Sequence, residues 1–138
     1  MNDDELKELF RSIKTIAVVG VSNNQEKAAY GVAKYLKQRG YRIIPVNPGC
    51  DEVLGEKCYS AIEEIPDEID AVDVFRKAEF VPETAKAAVK KGAKVLWLQD
   101  SIISPEAQKI AEEAGMKFIQ NDCMFRRHVG IFGFGNAK

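Results

Sequence analysis

The residues best suited to chemistry lie in a polar segment, GVSNNQEKAAYG, at positions 20–31. Gly20 allows a backbone to approach a ligand closely, because it has no Cβ. Ser22 and Asn23 are short polar residues that favour turns with exposed N–H groups. Lys27 adds a mobile positive charge. Donors and positive charge together in one loop predict a site for a phosphate or diphosphate group.

A helix is predicted to begin just after this loop, near Tyr30 and Gly31. The free N–H groups and the dipole at a helix N-terminus attract anions, and Gly31 is expected to allow close packing or close approach of a ligand. The combination predicts a diphosphate cradle. The alternative is an ordinary connection, since a polar loop with glycine occurs between strand and helix in any α/β protein.

Two common nucleotide motifs are missing from the sequence. Ser22 and Gln25 break the pattern G-x-G-x-x-G, and no P-loop sequence G-x-x-x-x-G-K-[ST] occurs. An NAD site also favours an acidic residue after the second strand to hold the ribose hydroxyls, whereas Asn47 occupies that position. These observations disfavour NAD as the ligand.

Only one nucleophile–base pair suggests itself, Cys123 with His128, five residues apart near the C-terminus. The interpretation we favour is a buried structural thiol and an exposed or hydrogen-bonded histidine. The other cysteines, Cys50 and Cys58, are widely spaced from Cys123 and form no C-x-x-C motif, so reduced thiols are expected. A single histidine argues against a histidine-based metal site.

Composition excludes several classes of protein. The chain has 138 residues, of which 46% are hydrophobic, enough for one domain spanning 1–138 with its own core. The 20 Lys and Arg residues balance 21 Asp and Glu residues, without the basic excess of nucleic-acid-binding proteins. No apolar run is long enough to cross a membrane, and the acidic N-terminus is unlike a signal peptide. We therefore expect a cytoplasmic protein.

Apolar runs alternate with segments of helical periodicity along the chain. This pattern predicts a parallel sheet covered by helices on both faces, a three-layer α/β/α fold. Ligands of such sheets bind beyond the carboxyl ends of the strands, where the strand order reverses. The predicted strands are 15–20, 41–47, 70–75, 94–99 and 116–121, and the predicted helices are 3–13, 30–39, 78–91 and 104–115.

Two segments of the chain lack a clear helical or strand periodicity. Residues 48–69 are expected to be irregular apart from a short helix entered through Ser60. The segment after residue 121 has no assigned structure, and its end, GIFGFGNAK, is predicted either to be disordered or to pack onto a partner subunit.

Pro45 places the second strand at an edge or an irregularity of the sheet.

Six short motifs occur in order along the chain. They are IAVVGVS (16–22), YGVAKYL (30–36), PVNP (45–48), LGEKCY (54–59), VDVF (72–75) and VLWLQ (95–99). This set of motifs resembles the small stand-alone CoA-binding domain proteins, which are similar to the N-terminal CoA-binding domain of the succinyl-CoA synthetase α subunit. The resemblance covers about residues 10–125 and implies a Rossmann-like fold with a five-stranded, mainly parallel sheet.

The resemblance also implies roles for particular residues. Gly20, Val21, Ser22 and Asn23 would hold the diphosphate of CoA, with Lys27 nearby. This matches the diphosphate cradle indicated by the residue types of the same loop.

Further residues would surround the rest of the cofactor. By resemblance, Asn47, Pro48 and Cys50 would border the adenosine end, and Phe75 and Arg76 would wall the nucleotide pocket. A guanidinium at this position also suits the 3′-phosphate of CoA, since arginine binds phosphate with paired hydrogen bonds.

Gln99 would approach the pantetheine arm of the cofactor, and two positions nearby depart from the family pattern. Cys50 stands where the ligase subunit commonly has a basic residue, and Asp100 follows the W-x-Q segment where many relatives have glycine. A negative charge at Asp100 is expected to weaken the binding of anionic ligands.

The sequence thus predicts a protein that binds CoA or an acyl-CoA without catalysis of its own. One alternative is a partner-dependent acyl-CoA ligase or thioester-handling component that uses Cys123 and His128. Another is an NAD(P)-binding regulatory module. A homo-oligomer or a protein partner is compatible with the apolar C-terminal segment, and neither a nucleic acid nor a membrane is expected as a partner.

Overall fold

The computed structural model describes residues 1–134, and these form five α-helices, seven strands and two short 3₁₀ helices. The α-helices are α1 (Asp3–Ser12), α2 (Ala28–Gln38), α3 (Val81–Lys91), α4 (Pro105–Glu113) and α5 (Met124–Phe132). The strands are β1 (Thr15–Val19), β2 (Arg42–Val46), β3 (Glu52–Val53), β4 (Glu56–Lys57), β5 (Ala71–Val74), β6 (Val95–Leu98) and β7 (Lys117–Ile119). The 3₁₀ helices are Ile62–Glu64 and Ala78–Phe80.

Five strands form one parallel sheet in the order β2-β1-β5-β6-β7. The first crossover leads from β1 outward to β2, and the chain then returns to the other side of β1 to form β5. The strand order therefore reverses between β1 and β5. The predicted α/β fold with a five-stranded parallel sheet is confirmed.

Helices cover both faces of this sheet, and the core accordingly has two halves. Helices α1, α2 and α5 pack on one face, where Phe10 and Trp97 are fully buried. Helices α3 and α4 pack on the other face, against apolar residues of the central strands such as Val72 and Leu96. Burial on both faces explains why the central strands read as nearly continuous apolar runs.

The predicted position of β2 is confirmed. Pro45 lies in β2, which is the last strand at one side of the sheet and pairs only with β1 within it. Proline lacks an N–H donor and is tolerated at such an edge.

No helix within residues 1–134 is long and apolar enough to cross a bilayer.

The segment predicted to be irregular contains a β-hairpin, formed by β3 and β4. Its two turn residues, Leu54 and Gly55, both have positive φ, at 54° and 78°. A two-residue hairpin turn of type I′ has this backbone conformation at both residues, and asparagine or aspartate followed by glycine is its usual signal. Leucine rarely adopts positive φ, so the sequence carries only half of that signal.

The C-terminal segment also differs from expectation, because Met124–Phe132 forms α5. Its N-cap residue, Cys123, makes no side-chain capping bond, and Gly130 lies within the helix. Local propensity is therefore weak, and packing against α1 and α2 stabilises the helix. Of the segment predicted to be disordered or bound to a partner, residues 135–138 lie outside the described residues.

Two clefts at the carboxyl edge of the sheet

Two clefts open at the carboxyl ends of the strands, on either side of Arg76. The first has a volume of about 250 Å³ and the second of about 280 Å³. The first is lined by Val19, Gly20, Val46, Asn47, Pro48, Ser60, Ala61, Ile62, Glu63, Arg76, Glu83, Thr84 and Ala87. The second is lined by Ala28, Val32, Phe75, Arg76, Gln99, Asp100, Ile102 and Cys123. The first lies where the strand order reverses, the place where ligands bind in such sheets, and the second lies beside it, at the ends of β5 and β6.

Gly20 connects β1 to the loop that follows and lies at the first cleft. Its φ is +98°, and a Cβ at this position would overlap the backbone carbonyl of Phe75. Its N–H donates a hydrogen bond of 2.8 Å to the carbonyl of Val46. Only glycine fits between the ends of three adjacent strands, so the loop leaves the sheet at a fixed angle.

The loop after β1 is ordered by its own polar groups. The Ser22 hydroxyl accepts a hydrogen bond from the N–H of Asn24 at 3.2 Å, and the Asn24 side chain accepts one from the N–H of Glu26 at 3.0 Å. Helix α2 then begins with Lys27 as its N-cap, without a side-chain cap and without an acid in its first turn. The first turn therefore contributes no carboxylate to offset the dipole, and the nearest acid is Glu26, directly before the N-cap.

Two asparagines tie this loop to the next one. Asn47 donates from its side chain to the carbonyl of Val21 at 2.9 Å. Asn23 donates to the carbonyl of Glu52 at 2.7 Å and lies 3.9 Å from the sulfur of Cys50. The loop after β1, the turn after β2 and the β3–β4 hairpin therefore form one connected rim of the first cleft.

Arg76 follows β5 and borders both clefts. Its guanidinium lies over the ring of Phe80, 5.0 Å from the ring centroid, and donates to the hydroxyl of Thr84 at 3.3 Å. No salt bridge to Arg76 occurs within residues 1–134, although Glu83 lines the same cleft. The arginine is held in place by neutral contacts and keeps its charge available for an anion.

The second cleft has a polar end formed by Gln99 and Asp100. Gln99 is buried, and its side-chain oxygen accepts a hydrogen bond from the N–H of Met124 at 3.2 Å. Asp100 accepts two hydrogen bonds from Arg126, at 2.9 and 3.0 Å, and this guanidinium lowers the pKa of the Asp100 carboxyl. The negative charge expected to disturb anion binding is therefore paired with an arginine.

Cys123 and His128 are not brought together as a nucleophile and base. Cys123 borders the second cleft, whereas His128 is fully buried and its Nδ1 lies 2.6 Å from the hydroxyl of Tyr35. His128 packs against the rings of Phe10, Tyr35 and Tyr41 and does not line the second cleft. The histidine is hydrogen-bonded, one of the two settings expected from the sequence, and the thiol is buried, as expected.

The structure distributes the residues predicted for the site unevenly. Gly20, Asn47, Pro48, Phe75, Arg76 and Gln99 line the clefts. Val21 is fully buried, and a Cβ at Gly31 would meet no atom within 4 Å, so Gly31 is not needed for packing within residues 1–134. Ser22, Asn23, Lys27, Tyr30 and Cys50 lie on the rim or at the start of α2, outside the cleft linings.

Several lining residues were not predicted. Glu83 and Thr84 face the first cleft from α3, and Ala28, Val32 and Ile102 give the second cleft an apolar wall. These are ordinary residues of amphipathic helices and loops. No spacing in the sequence distinguishes them, since only the packing of α2, α3 and the loop after β6 at the edge of the sheet brings them to the site.

The family follows from comparison with known sequences. A model of the CoA binding domain matches residues 14–128 of the chain. The chain belongs to the CoA-binding domain family. The match spans every strand of the parallel sheet, together with the loop after β1 and the turn after β2, which border the first cleft.

Relatives of this CoA-binding domain differ greatly in length. The chain is 39% identical over 124 residues to the uncharacterised protein YneT of Bacillus subtilis, and the match covers 90% of this chain and 92% of YneT. It is 38% identical over 110 residues to an ADP-forming acetate–CoA ligase of Archaeoglobus fulgidus, covering 78% of this chain but only 16% of the ligase. The same domain thus occurs in small proteins and as a minor part of long enzymes.

A solved structure shares the whole architecture. A hypothetical protein from Pyrococcus horikoshii is 44% identical and superposes with a TM-score of 0.94, covering 96% of this chain and 94% of that one.

Proposed function

We propose that the protein binds CoA or an acyl-CoA across the two clefts and performs no catalysis by itself. The observation that carries the proposal is Arg76, a guanidinium without an ionic partner in the described structure, placed between a cleft of mixed polarity and a largely apolar one. CoA combines phosphates and a long, largely uncharged pantetheine arm. A single cation between two unlike clefts suits such a ligand.

The diphosphate is proposed to lie against the loop after β1, at Gly20, Val21, Ser22 and Asn23. Gly20 permits close approach, and the uncapped N-terminus of α2 adds N–H groups and a favourable dipole. Lys27, the exposed N-cap residue of α2, adds a positive charge at the same end. These features support an anion site at the carboxyl end of β1.

The two ends of the cofactor are proposed to extend in opposite directions from Arg76. The adenosine end lies toward Asn47, Pro48 and Cys50 at the first cleft, with Arg76 holding the 3′-phosphate. The pantetheine arm lies in the second cleft, whose apolar wall includes Phe75 and whose buried end carries Gln99. An apolar channel with one polar end fits a chain that carries amides and ends in a thiol or thioester.

The first test is calorimetric titration with CoA, 3′-dephospho-CoA and NADH, using wild type, Arg76→Gln and Arg42→Gln. Arg42 is a matched control because it lies at the amino end of β2, away from the clefts, and pairs with Asp67. A hydrogen bond to a charged group contributes about 1.5–3 kcal/mol, so Arg76→Gln is expected to raise the Kd for CoA about ten- to a hundredfold.

The loss in Arg76→Gln is expected to be smaller for 3′-dephospho-CoA, which lacks the proposed phosphate contact, and Arg42→Gln is expected to bind like wild type. Preferential binding of NADH would instead favour the regulatory NAD(P) hypothesis. Absence of CoA binding by wild type would refute the proposal.

A second candidate function is supported by the ligase of Archaeoglobus fulgidus, in which this family forms 16% of a named acetate–CoA ligase. In this hypothesis the protein presents CoA to a partner that performs the ligation, or handles thioesters through Cys123. Cys123 lines the second cleft, where the thioester end is proposed to lie. Loss of thioester turnover in Cys123→Ser with CoA binding retained would favour this second function, whereas we expect no turnover to lose.

A further inference from the structure

Two cysteine thiols meet at the base of the β3–β4 hairpin. Cys50 lies just before β3 and Cys58 just after β4. The N–H of Cys58 donates to the carbonyl of Asp51 at 2.9 Å, which continues the pairing of the two hairpin segments. Both thiols are free, and the carbonyl of Asn47 accepts hydrogen bonds from the N–H of Cys50 at 3.4 Å and from the thiol of Cys58 at 3.6 Å.

The register of the hairpin makes the two cysteines neighbours. Glu52 pairs with Lys57, so Cys58 faces Asp51, and Cys50 is the residue next to Asp51. The side chain of Cys50 is near enough to raise the pKa of the Cys58 thiol. Adjacent strands lie about 4.7–4.9 Å apart, and disulfides join Cα atoms about 4.4–6.8 Å apart, so the base of the hairpin brings the two thiols within reach of each other.

We propose that Cys50 and Cys58 form a reversible disulfide that weakens ligand binding at the first cleft. The regulatory part rests on the proposed function, because it concerns binding of CoA or acyl-CoA. The disulfide itself does not depend on that function and is tested separately.

The two cysteines differ in accessibility, and this sets the order of the steps. Cys50 is half-buried, whereas Cys58 is 7% exposed. Burial, together with the neighbouring Cys50, raises the pKa of the Cys58 thiol to about 11. The thiolate is the reactive species, so Cys50 is the residue that attacks an external disulfide, and Cys58 is the residue that resolves the product.

The oxidant is a low-molecular-weight disulfide, RSSR. The Cys50 thiolate attacks one sulfur of RSSR, forming a mixed disulfide and releasing RS⁻. Cys58 then loses its proton to solvent and attacks the Cys50 sulfur, forming the Cys50–Cys58 bond and releasing a second RS⁻. Two thiols of the protein lose two electrons and two protons, and RSSR becomes two molecules of RSH.

The thiols are bonded to the rim of the first cleft, so their oxidation reaches the proposed binding site. The Cys58 thiol donates to the carbonyl of Asn47 at 3.6 Å, and the Asn23 amide lies 3.9 Å from the Cys50 sulfur. A disulfide removes both S–H donors and draws the sulfurs to about 2.05 Å apart. Asn47 then loses the hydrogen bond from the Cys58 thiol, and the Cys50 sulfur moves relative to the Asn23 amide that donates to it. Both asparagines border the proposed nucleotide site.

The disulfide is tested by treating the purified protein with oxidised glutathione, blocking remaining thiols with N-ethylmaleimide and measuring intact mass and cross-linked peptides. We expect one alkylated thiol, at Cys123, a peptide pair joined through Cys50 and Cys58, and full reversal by dithiothreitol. Cys50→Ser is expected to take up no stable glutathione at Cys58, whereas Cys58→Ser is expected to retain glutathione at Cys50.

Cys123→Ser is the matched control and is expected to form the disulfide as wild type does. A stable glutathione adduct on wild-type Cys50, or three alkylated thiols after treatment, would overturn the proposal.

The effect on binding is measured with acetyl-CoA, whose sulfur is blocked and does not reduce the disulfide. We expect the oxidised protein to bind acetyl-CoA at least about threefold more weakly than the reduced protein, with reversal by dithiothreitol and no redox dependence in Cys50→Ser. Equal affinity of the two forms would overturn the regulatory part. If reduced wild type fails to bind any CoA derivative, the proposed function fails, while the mass measurement still decides on the disulfide.

Discussion

At the scale of single residues, Asp73 is the most unusual group in the core. It lies in β5 between Val18 and Trp97 of the neighbouring strands, and it is fully buried. Neither carboxylate oxygen has a hydrogen-bond partner in the described structure. Burial raises the pKa of Asp73 well above its usual value, because an isolated carboxylate is poorly solvated there. The folded protein therefore holds a proton that the unfolded chain releases.

This proton makes stability depend on pH. An unfolded aspartate ionises near pH 3.9, so above about pH 4 the unfolded state binds fewer protons than the folded state and stability falls as pH rises. Asp73→Asn removes this dependence while keeping the shape of the side chain. We expect the melting temperature of Asp73→Asn relative to wild type to be higher at about pH 8 than at about pH 5.

Asp70 is a matched control with the opposite sign. Burial opposes ionisation of Asp70, but hydrogen bonds from the backbone of Lys14 and Thr15 and the charge of Lys94 lower its pKa. Its stabilising effect is present above the unfolded pKa and lost as pH falls, so Asp70→Asn should be most harmful near neutral pH. A pH-independent difference between Asp73→Asn and wild type would contradict a protonated Asp73.

At the scale of elements, two glycines near the start of α2 have different roles, one in the connection from β1 and one in the helix itself. Gly20 is required by a positive φ and by the backbone of Phe75, whereas a Cβ at Gly31 in α2 would enter open space. The sequence treats both as candidate ligand contacts. The structure separates a glycine that the fold needs from one that it does not.

This difference predicts opposite effects of substitution by alanine. Gly31→Ala is expected to stabilise the protein by about 0.5–1 kcal/mol, since alanine favours a helix interior over glycine. Gly20→Ala is expected to destabilise it, because backbone atoms must move to accept the Cβ. Urea unfolding of both variants measures the changes, and stabilisation of both would contradict the geometry of the β1–α2 connection.

The Gly31→Ala variant also tests the proposed binding site. If Gly31 allows close approach of CoA, as its sequence position suggested, then Gly31→Ala weakens CoA binding despite its greater stability. Unchanged affinity of Gly31→Ala would place the ligand away from this residue.

At the scale of the whole molecule, an aromatic cluster joins both terminal helices to the sheet. Phe10 of α1 stacks on Trp97 of β6 at 5.8 Å between ring centroids, and its ring lies 5.0 Å from His128 and 6.3 Å from Phe132 of α5. Helix α5 has weak local signals and gains its stability from these contacts. The cluster therefore couples α5, and with it the Cys123 side of the second cleft, to the core.

Phe10→Ala should remove this coupling. Truncation of a buried phenylalanine costs about 3–5 kcal/mol, and for a domain of this size it lowers the melting temperature on the order of 10 °C. Phe134→Ala is the control, because Phe134 is 69% exposed and its loss should change stability little. Thermal unfolding by circular dichroism measures both, and equal effects would contradict the cluster as the link between α1, α5 and the sheet.

The sequence by itself determined the strands and helices whose neighbours along the chain carry the signal. The apolar run of β1 ends in Gly20, α4 begins with Ser104 as N-cap and Pro105 as its first residue, and α3 ends at Gly92 in a left-handed conformation. Such local patterns, with the alternation of strands and helices, were enough for the fold class and for the edge of the sheet that carries the clefts.

Only the tertiary structure decided the rest. It formed α5 against the aromatic cluster, paired Asp100 with Arg126, separated Cys123 from His128 and brought Cys50 to Cys58 across the hairpin. Each depends on contacts between segments whose distance in space is set by the sheet and its crossovers. Local propensity acts over a few residues, whereas burial and pairing join residues far apart in the chain. No short sequence pattern encodes such long-range contacts.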